Sequence, residues 1–489
     1  MRLTVGLEAI IFLGLTVWAG HGPSGPPVRE LSTEQLKEDF QILVETFQKN
    51  HPGFYRHTSP STMRSQIRAI QAELNRPMSD IEFFRKLSPF IGSIECGHTN
   101  AKPPKAFRGF MLEKANIFPF DLQFIQQRAF VRKNLSGHES IPKGSEILKI
   151  NGDPLHTIVN RILSGLGTDG FNQASKYAML TDLFWLHYFE RYQHAQTFQV
   201  AFKSYPKGEL KTVSLKGIPA EKMIQYRRER RNPETFDFKV MSENETALMT
   251  IRHFLDPQTP AFLKTTFAKI AKLNLRNLII DIRDNGGGED LYNAELFNYL
   301  MDRPYRFYRS RKAVGKNFSD LAHVSYELDD FFAYENLAAG RKEILKKKLG
   351  LGELLARENA NYPVFGLQKP YPNAFKGAVY LLFNGGSGSS GGEIPALMHH
   401  LGRGTLIGEE PNGAYDGVTA GILTELTLPH SKIRIGLPLI AYYNAVLPGV
   451  FPHRGVQPHF PVQPTVADMV AEKDTVLQFT LDLIKARTL

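Results

Sequence analysis

One stretch constrains this chain more than any other. Ala378-Val379-Tyr380-Leu381-Leu382-Phe383 is followed, after Asn384, by Gly385-Gly386-Ser387-Gly388-Ser389-Ser390-Gly391-Gly392-Glu393. The apolar run reads as a buried strand. The small residues read as a turn, and Ile394-Pro395-Ala396-Leu397-Met398 as the opening of a helix. Glycines let a backbone approach a ligand closely and adopt dihedrals closed to other residues. A helix N-terminus offers unpaired N–H groups to a developing negative charge. Strand, bare turn and helix start together form a layout that suits a serine nucleophile. It is not the Gly-x-Ser-x-Gly elbow of the α/β-hydrolases. Serine-glycine turns also occur in linkers, so the stretch needs company before it means chemistry.

Company comes from a second motif. The apolar run Leu278-Ile279-Ile280-Asp281-Ile282 leads into Arg283-Asp284-Asn285-Gly286-Gly287-Gly288. Polar residues at the carboxyl end of a parallel strand mark the usual site position in an open α/β sheet. Around these two motifs strands and helices alternate from about residue 236: strand 247–251, helix 260–272, strand 405–408. That order predicts an α/β domain over 236–489 with a mostly parallel sheet covered on both faces. Residues 425–437 alternate around Pro429-His430-Ser431 and read as a hairpin. Residues 311–369 are basic and loop-rich and read as an insertion or lid.

Upstream, the pattern predicts an N-terminal helical domain over 28–103. Ser32 with Gln35 makes a capping box before Leu36, Phe40, Leu43 and Phe47 at helical spacing. Ser59-Pro60 opens a second helix, and Ser79 with Glu82 caps a third. Residues 104–235 change character. Gly144-Ser145-Glu146-Ile147-Leu148-Lys149-Ile150-Asn151-Gly152 reads as a strand running into a tight turn, with a helix beyond carrying Ile158 and Ile162 and ending near Gly165. This segment resembles a PDZ domain, a module that adds an extended peptide to a sheet edge. Residues 171–196 exceed what such a module needs and read as an insertion that covers or reshapes the peptide groove.

A length of 489 residues calls for two or three domains, and 42% apolar with 22% charged residues describes a soluble globular protein. The formal charge of +10 includes Arg227-Arg228-Glu229-Arg230-Arg231 and Lys346-Lys347-Lys348, which read as solvated faces. No zinc-finger spacing or aromatic-basic motif accompanies them, so nucleic acid is not an expected partner. Cys96 is the only cysteine, which excludes an intrachain disulfide and cysteine-rich metal sites and suits a small, semi-buried filler. His399 and His400 are adjacent and point apart on a helix, so no metal or cofactor is implied. Near the N-terminus, residues 9–19 are apolar but too short to span a bilayer comfortably. With Arg2 before them and Val17-Trp18-Ala19 at their end, residues 1–27 read as a secretory signal and linker. The expectation is export, to a bacterial periplasm or envelope or beyond, without stable membrane insertion after signal removal.

The two glycine motifs together resemble the C-terminal processing and tricorn-type serine peptidases. The family's marks are Asp-x-Arg-x-Asn-Gly-Gly-Gly, matched by 281–288, and a small-residue serine segment with Glu three past the nucleophile. Glu393 stands three past Ser390, which selects Ser390 over Ser387 and Ser389. Gly402-Arg403-Gly404-Thr405-Leu406-Ile407-Gly408-Glu409 matches a further family strand. The resemblance implies a ClpP/crotonase-like C-terminal domain behind helical and PDZ-like domains. One branch of the family uses a lysine base from the segment that here reads Pro411-Asn412-Gly413-Ala414-Tyr415-Asp416-Gly417-Val418, which holds none. The tricorn-like branch uses a histidine from a Gly-His-Thr segment, here Gly97-His98-Thr99. The resemblance thus implies Ser390 as nucleophile, His98 as general base, and an oxyanion hole from the N–H of Gly391 with that of Gly286 or Gly287. The orienting acid of that branch falls on Pro452, and His459 replaces a family Asp, so Glu410 and Asp416 stand in as candidates. Cleavage of peptides, unfolded protein or C-terminal tails is the implied activity. A non-catalytic carrier of peptides or hydrophobic ligands on the same scaffold is the alternative, as in interphotoreceptor retinoid-binding protein.

Overall fold

The computed structural model describes residues 25–230, 234–241, 245–314, 322–325 and 363–488. Most of the expected signal segment, most of the expected 311–369 insertion and the Lys346-Lys347-Lys348 cluster lie outside the described residues. Among the described residues no helix is long and apolar enough to cross a membrane.

Three helices open the chain: α1 (Thr33–Asn50), α2 (Pro60–Glu73) and α3 (Asp80–Gly92). Their starts follow the caps legible in the sequence. Ser32 and Gln35 form the capping box, Ser59 accepts from the Thr62 N–H, and Ser79 from the Glu82 N–H. Their apolar stripes do not close on one another alone. Leu36, Phe40, Phe83 and Leu87 share a core with Leu426, Leu428, Ile433, Ile435 and Leu437, far along the chain. Asp39, fully buried on α1, accepts the N–H groups of His430 and Ser431 at 2.9 and 2.7 Å. It thereby holds the tip of the hairpin to the helices.

The next unit is an antiparallel sheet of β1 (Phe120–Ile125), β2 (Arg128–Asn134), β3 (Glu146–Ile150), β4 (Thr197–Lys203) and β5 (Leu210–Lys216), in spatial order β5-β4-β3-β2-β1. Asn151 (φ +52°) and Gly152 (φ +89°) make the turn after β3. Helices α4 (Leu155–Ser164) and α5 (Gln173–His187) pack on this sheet, with Ile158, Ile162, Leu180 and Phe184 in its core. Helix α5 falls in the 171–196 stretch and is set against β1, where the Phe124 N–H donates to Thr181 Oγ1 at 3.2 Å. The basic run at 227–231 is not wholly a solvated face. Arg227 is 4% exposed and donates to Asp121 at 2.7 Å and Asp182 at 2.5 Å, because a buried guanidinium needs carboxylate partners.

The third unit has a sheet of β6 (Phe236–Val240), β7 (Thr246–Ile251), β8 (Asn277–Asp281), β10 (Ala378–Phe383), β11 (Thr405–Gly408) and β14 (Phe460–Pro461), in that spatial order. Only the edge strand β6 runs antiparallel to its neighbour. Alternate residues face opposite ways, so Met249, Ile280 and Leu381 enter one core while Leu248, Ile279 and Leu382 enter another. Helices α6 (Thr259–Lys272), α7 (Asp290–Leu300) and α8 (Ser390–Leu401) contribute to the first core, and α9 (Thr475–Thr488) to the second. Both faces are covered, as a parallel sheet requires. A second sheet is built on the hairpin β12 (Thr419–Thr427) and β13 (Arg434–Asn444), with β9 (Tyr308–Lys312) beside β13. Ala101-Lys102 also pairs with Arg434-Ile435, tying the end of the helical unit to this sheet.

Candidate active site

The two glycine turns lie at the carboxyl ends of the adjacent strands β8 and β10 and lock into one another. The Gly388 N–H donates to Asn285 O at 2.8 Å. Asn285, fully buried, accepts the Gly287 N–H on Oδ1 at 2.8 Å and donates to Ile251 O at 2.9 Å. A Cβ on Gly287 (φ +97°) would lie 2.8 Å from Gly388 O, and one on Gly391 would lie 2.6 Å from Asn285 O. Glycine is required at both places because the turns touch there. Asp281 and Arg283, the other marked residues of the motif, brace the loop. Asp281 accepts the Arg283 N–H at 3.0 Å and its guanidinium at 2.9 and 2.8 Å. Burial opposes its charge, but Arg283 and Arg252 hold its carboxyl below the usual carboxylate range.

Ser390 is the first residue of α8 and is 2% exposed. The preceding Ser389 sits at φ +51°, ψ −130°, a costly conformation for a residue with a Cβ. Ser390 Oγ donates to Gly288 O at 3.2 Å, and Ser390 O accepts from Asn293 Nδ2 at 2.6 Å. One helical turn on, Glu393 is buried and accepts the Tyr308 hydroxyl at 2.6 Å. Burial and the nearby Asp290 carboxylate push the Glu393 carboxyl well above its ordinary value.

His98 arrives from the loop after α3. Thr99 beside it is fully buried and bonded through Oγ1 to His51 Nε2 at 2.8 Å. A Cβ on Gly436 of β13 would lie 2.4 Å from His98 O, so the hairpin backbone presses directly on this loop. His98 and Ser390 thereby line one cleft, together with Gly288, Asp290, Tyr308 and Glu393. Among the described residues no hydrogen bond joins the two side chains. Ser390 Oγ is turned to Gly288 O, and His98 Nδ1 is shut off from solvent with no partner.

A carboxylate does accompany His98, but it is Asp169. It is 2% exposed, and one of its oxygens, a His98 ring nitrogen and Cys96 Sγ all lie within 4.8 Å of one another. Burial pushes the Asp169 carboxyl up, while the charges of His98 and Arg56 and hydrogen bonds from the Gly97 and Thr419 backbone pull it back. Asp169 sits in the short loop between α4 and α5. Close approach shapes that loop: a Cβ on Gly167 would lie 2.6 Å from Cys96 O, and one on Gly170 (φ +78°) 2.3 Å from His453 O. A lone acid between two such glycines was the available sequence signal.

The two acids considered from sequence are engaged elsewhere. Glu410 accepts the Gly455 N–H at 2.9 Å and pairs with Arg454, anchoring the late segment that carries Pro452 and His453. Asp416 pairs with Arg56 at 3.4 Å. Among the described residues no hydrogen bond or ion pair joins either to His98. Two of the expected oxyanion donors are engaged within their own turns. The Gly391 N–H is bonded to Gly388 O at 2.9 Å and the Gly287 N–H to Asn285, because each closes its own turn. Of the three glycines, only Gly286 has an N–H without a partner among the described residues, and its surroundings are open. His459, at the family's Asp position, is structural and accepts the Leu406 N–H at 3.0 Å. Cys96 is fully buried rather than semi-buried, and burial pushes its thiol up to about 12.

Residues 245–462 match the model of peptidase family S41. Among solved structures, mature CPAF is similar at 15% identity and a TM-score of 0.60, over 92% of this chain and 97% of that one. Mature CPAF complexed with lactacystin is similar at 14% identity and a TM-score of 0.62, over 93% and 99%. At such identity the likeness speaks for the fold. No curated protein matches the chain.

Proposed function

We propose, from the match of residues 245–462 to peptidase family S41, that this chain is a serine peptidase with Ser390 as nucleophile, His98 as general base and Asp169 as the acid that orients the base. The reading rests on one observation: His98 and Ser390 line the same cleft, with Asp169 buried beside the imidazole. Ser390 Oγ exchanges its bond to Gly288 O for one to His98, which takes the proton as Oγ attacks a peptide carbonyl. Catalytic hydrogen bonds commonly tighten only once substrate is bound, which accommodates the gap in the free protein. His98 then returns the proton to the leaving amine, and water repeats the sequence on the acyl-enzyme. The oxyanion is held by the Gly286 N–H and by the Gly391 N–H once substrate opens its bond to Gly388 O. Each such donor contributes about 3 kcal/mol to the transition state.

Substrates are peptides or unfolded segments that can thread to a nearly buried serine. The β1–β5 sheet serves as the PDZ-like grip on a C-terminal tail. Its edge strand β1 lies under α5, so the edge left for an added strand is β5, whose residues are mostly exposed. We assign the chain to an exported population on the strength of residues 1–27. The test is a fluorophosphonate probe. Labelling of the folded protein should vanish in Ser390→Ala and slow sharply in His98→Ala; folded protein that never labels would refute the assignment.

A further inference from the structure

The chain's single cysteine, the candidate base and its partner acid converge on one spot from two loops. Cys96 and His98 come from the loop after α3, and Asp169 from the loop between α4 and α5. A thiol sulfur, an imidazole nitrogen and a carboxylate oxygen within 4.8 Å of one another are a borderline-soft donor set of the kind zinc takes. In a tetrahedral zinc site such atoms stand about 3.5 Å apart, so closure asks for shifts of about 1 Å. An independent observation points the same way. His98 Nδ1 is buried without a hydrogen-bond partner, an expensive condition for a polar nitrogen. Cys96 Sγ donates to Thr419 O over 3.6 Å, a weak bond that a metal easily outcompetes. The acid is already braced by the backbone of Gly97 and Thr419, so one ligand is preset.

We propose that Cys96, His98 and Asp169 form an inhibitory zinc site that reversibly locks the imidazole away from Ser390. On binding, Cys96 Sγ–H gives its proton to solvent, the sulfur, a His98 nitrogen and an Asp169 oxygen each donate a pair to Zn²⁺, and nothing is oxidised or reduced. The ion displaces no residue of the substrate cleft; it removes the base. The inhibitory consequence rests on His98 being that base, whereas the binding itself does not.

The experiment uses the full chain carrying Ser390→Ala, which cannot turn over, titrated with Co²⁺ as a spectroscopic stand-in for Zn²⁺. The expected result is a thiolate-to-cobalt charge-transfer band that saturates at one metal per chain and is erased by Zn²⁺. The band should vanish in Ser390→Ala/Cys96→Ser, and Ser390→Ala/Asp169→Asn should bind at least about tenfold more weakly. In protein with an intact serine, Zn²⁺ should block fluorophosphonate labelling, a chelator should restore it, and Cys96→Ser should raise the zinc concentration needed at least about tenfold. Circular dichroism confirms that each variant is folded. No charge-transfer band in folded protein overturns the proposal, as does zinc inhibition that is unchanged in Cys96→Ser. A band without any labelling in zinc-free protein would keep the metal site and refute the peptidase assignment instead.

Discussion

Acidification should weaken this protein through His51, by an amount the structure allows to be worked out. His51 is 3% exposed, and its ring is doubly committed. Nδ1 accepts the Gly53 N–H at 3.0 Å, so the proton must sit on Nε2, which donates to Thr99 Oγ1 at 2.8 Å. A second proton would have to go on Nδ1 and break the Gly53 bond inside the core. Burial accordingly pushes the His51 pKa from 6.5 down to about 3. The folded state therefore takes up the proton later than the unfolded chain. Its contribution to stability is complete above 6.5 and is lost as pH falls from there towards about 3. At about 1.4 kcal/mol per pH unit, moving from neutral pH to near pH 4.5 costs about 3 kcal/mol from this residue. The comparison is His51→Asn, whose amide oxygen can still accept from Gly53 but does not titrate. Urea unfolding followed by the fluorescence of the buried Trp185 gives both stabilities. His57 and His187 are also held neutral by burial, but they are present in both proteins and cancel in the difference. The stability advantage of wild type over His51→Asn should shrink by about 3 kcal/mol between the two pH values. A difference that does not move with pH would refute the reasoning. Because Thr99 adjoins His98, fluorophosphonate labelling should fall over the same acid range in wild type and less steeply in the variant.

Three further outcomes follow from the site. Asp169→Asn should slow peptide hydrolysis by about a thousandfold or more while leaving the circular dichroism spectrum intact, whereas Asp416→Asn should leave kcat within a few-fold. Equal losses in the two would undo the choice of acid. Glu393 keeps its proton in the folded state to a higher pH than in the unfolded chain, so it stabilises below its ordinary value of 4.5 and progressively less as pH rises above that. Glu393→Gln should therefore gain stability relative to wild type in going from pH 5 to pH 8; thermal melts showing the reverse trend would contradict the burial argument. Gly391→Ala drives a Cβ to within 2.6 Å of Asn285 O, so it should lose on the order of 1–3 kcal/mol of stability. It should also cut labelling of Ser390, and retention of both properties would show that the interlock of the two turns is looser than described.

How far the sequence carried depended on whether a feature was local. The turn around Ser390 announces itself because strand, glycines and helix start are contiguous, and the helix begins at Ser390. The helix caps at Ser32, Ser59 and Ser79 were legible for the same reason. His98 was reached only through a resemblance, since nothing in Gly97-His98-Thr99 itself says that it meets residue 390. Asp169 drew no notice because its place beside His98 is created by packing. Glu410 and Asp416 were attractive through closeness to Ser390 along the chain, yet their charges are satisfied by Arg454 and Arg56. Arg227 misled for a related reason, as a run of arginines looks solvated until a buried Asp121 is found beneath it. The oxyanion glycines carry the right residues, but their N–H groups first serve the turns that make them glycines at all.

The shared core of the opening helices and the late hairpin has a consequence for when this molecule can act. Side chains from residues 31–101 complete their burial against partners numbered 426–439. A ribosome must therefore finish almost the whole polypeptide before the histidine-bearing loop has anything firm to rest on. Cutting power then comes all at once, as a property of the finished object. A truncation that removes either partner would leave the other's apolar face bare and the loop unsupported.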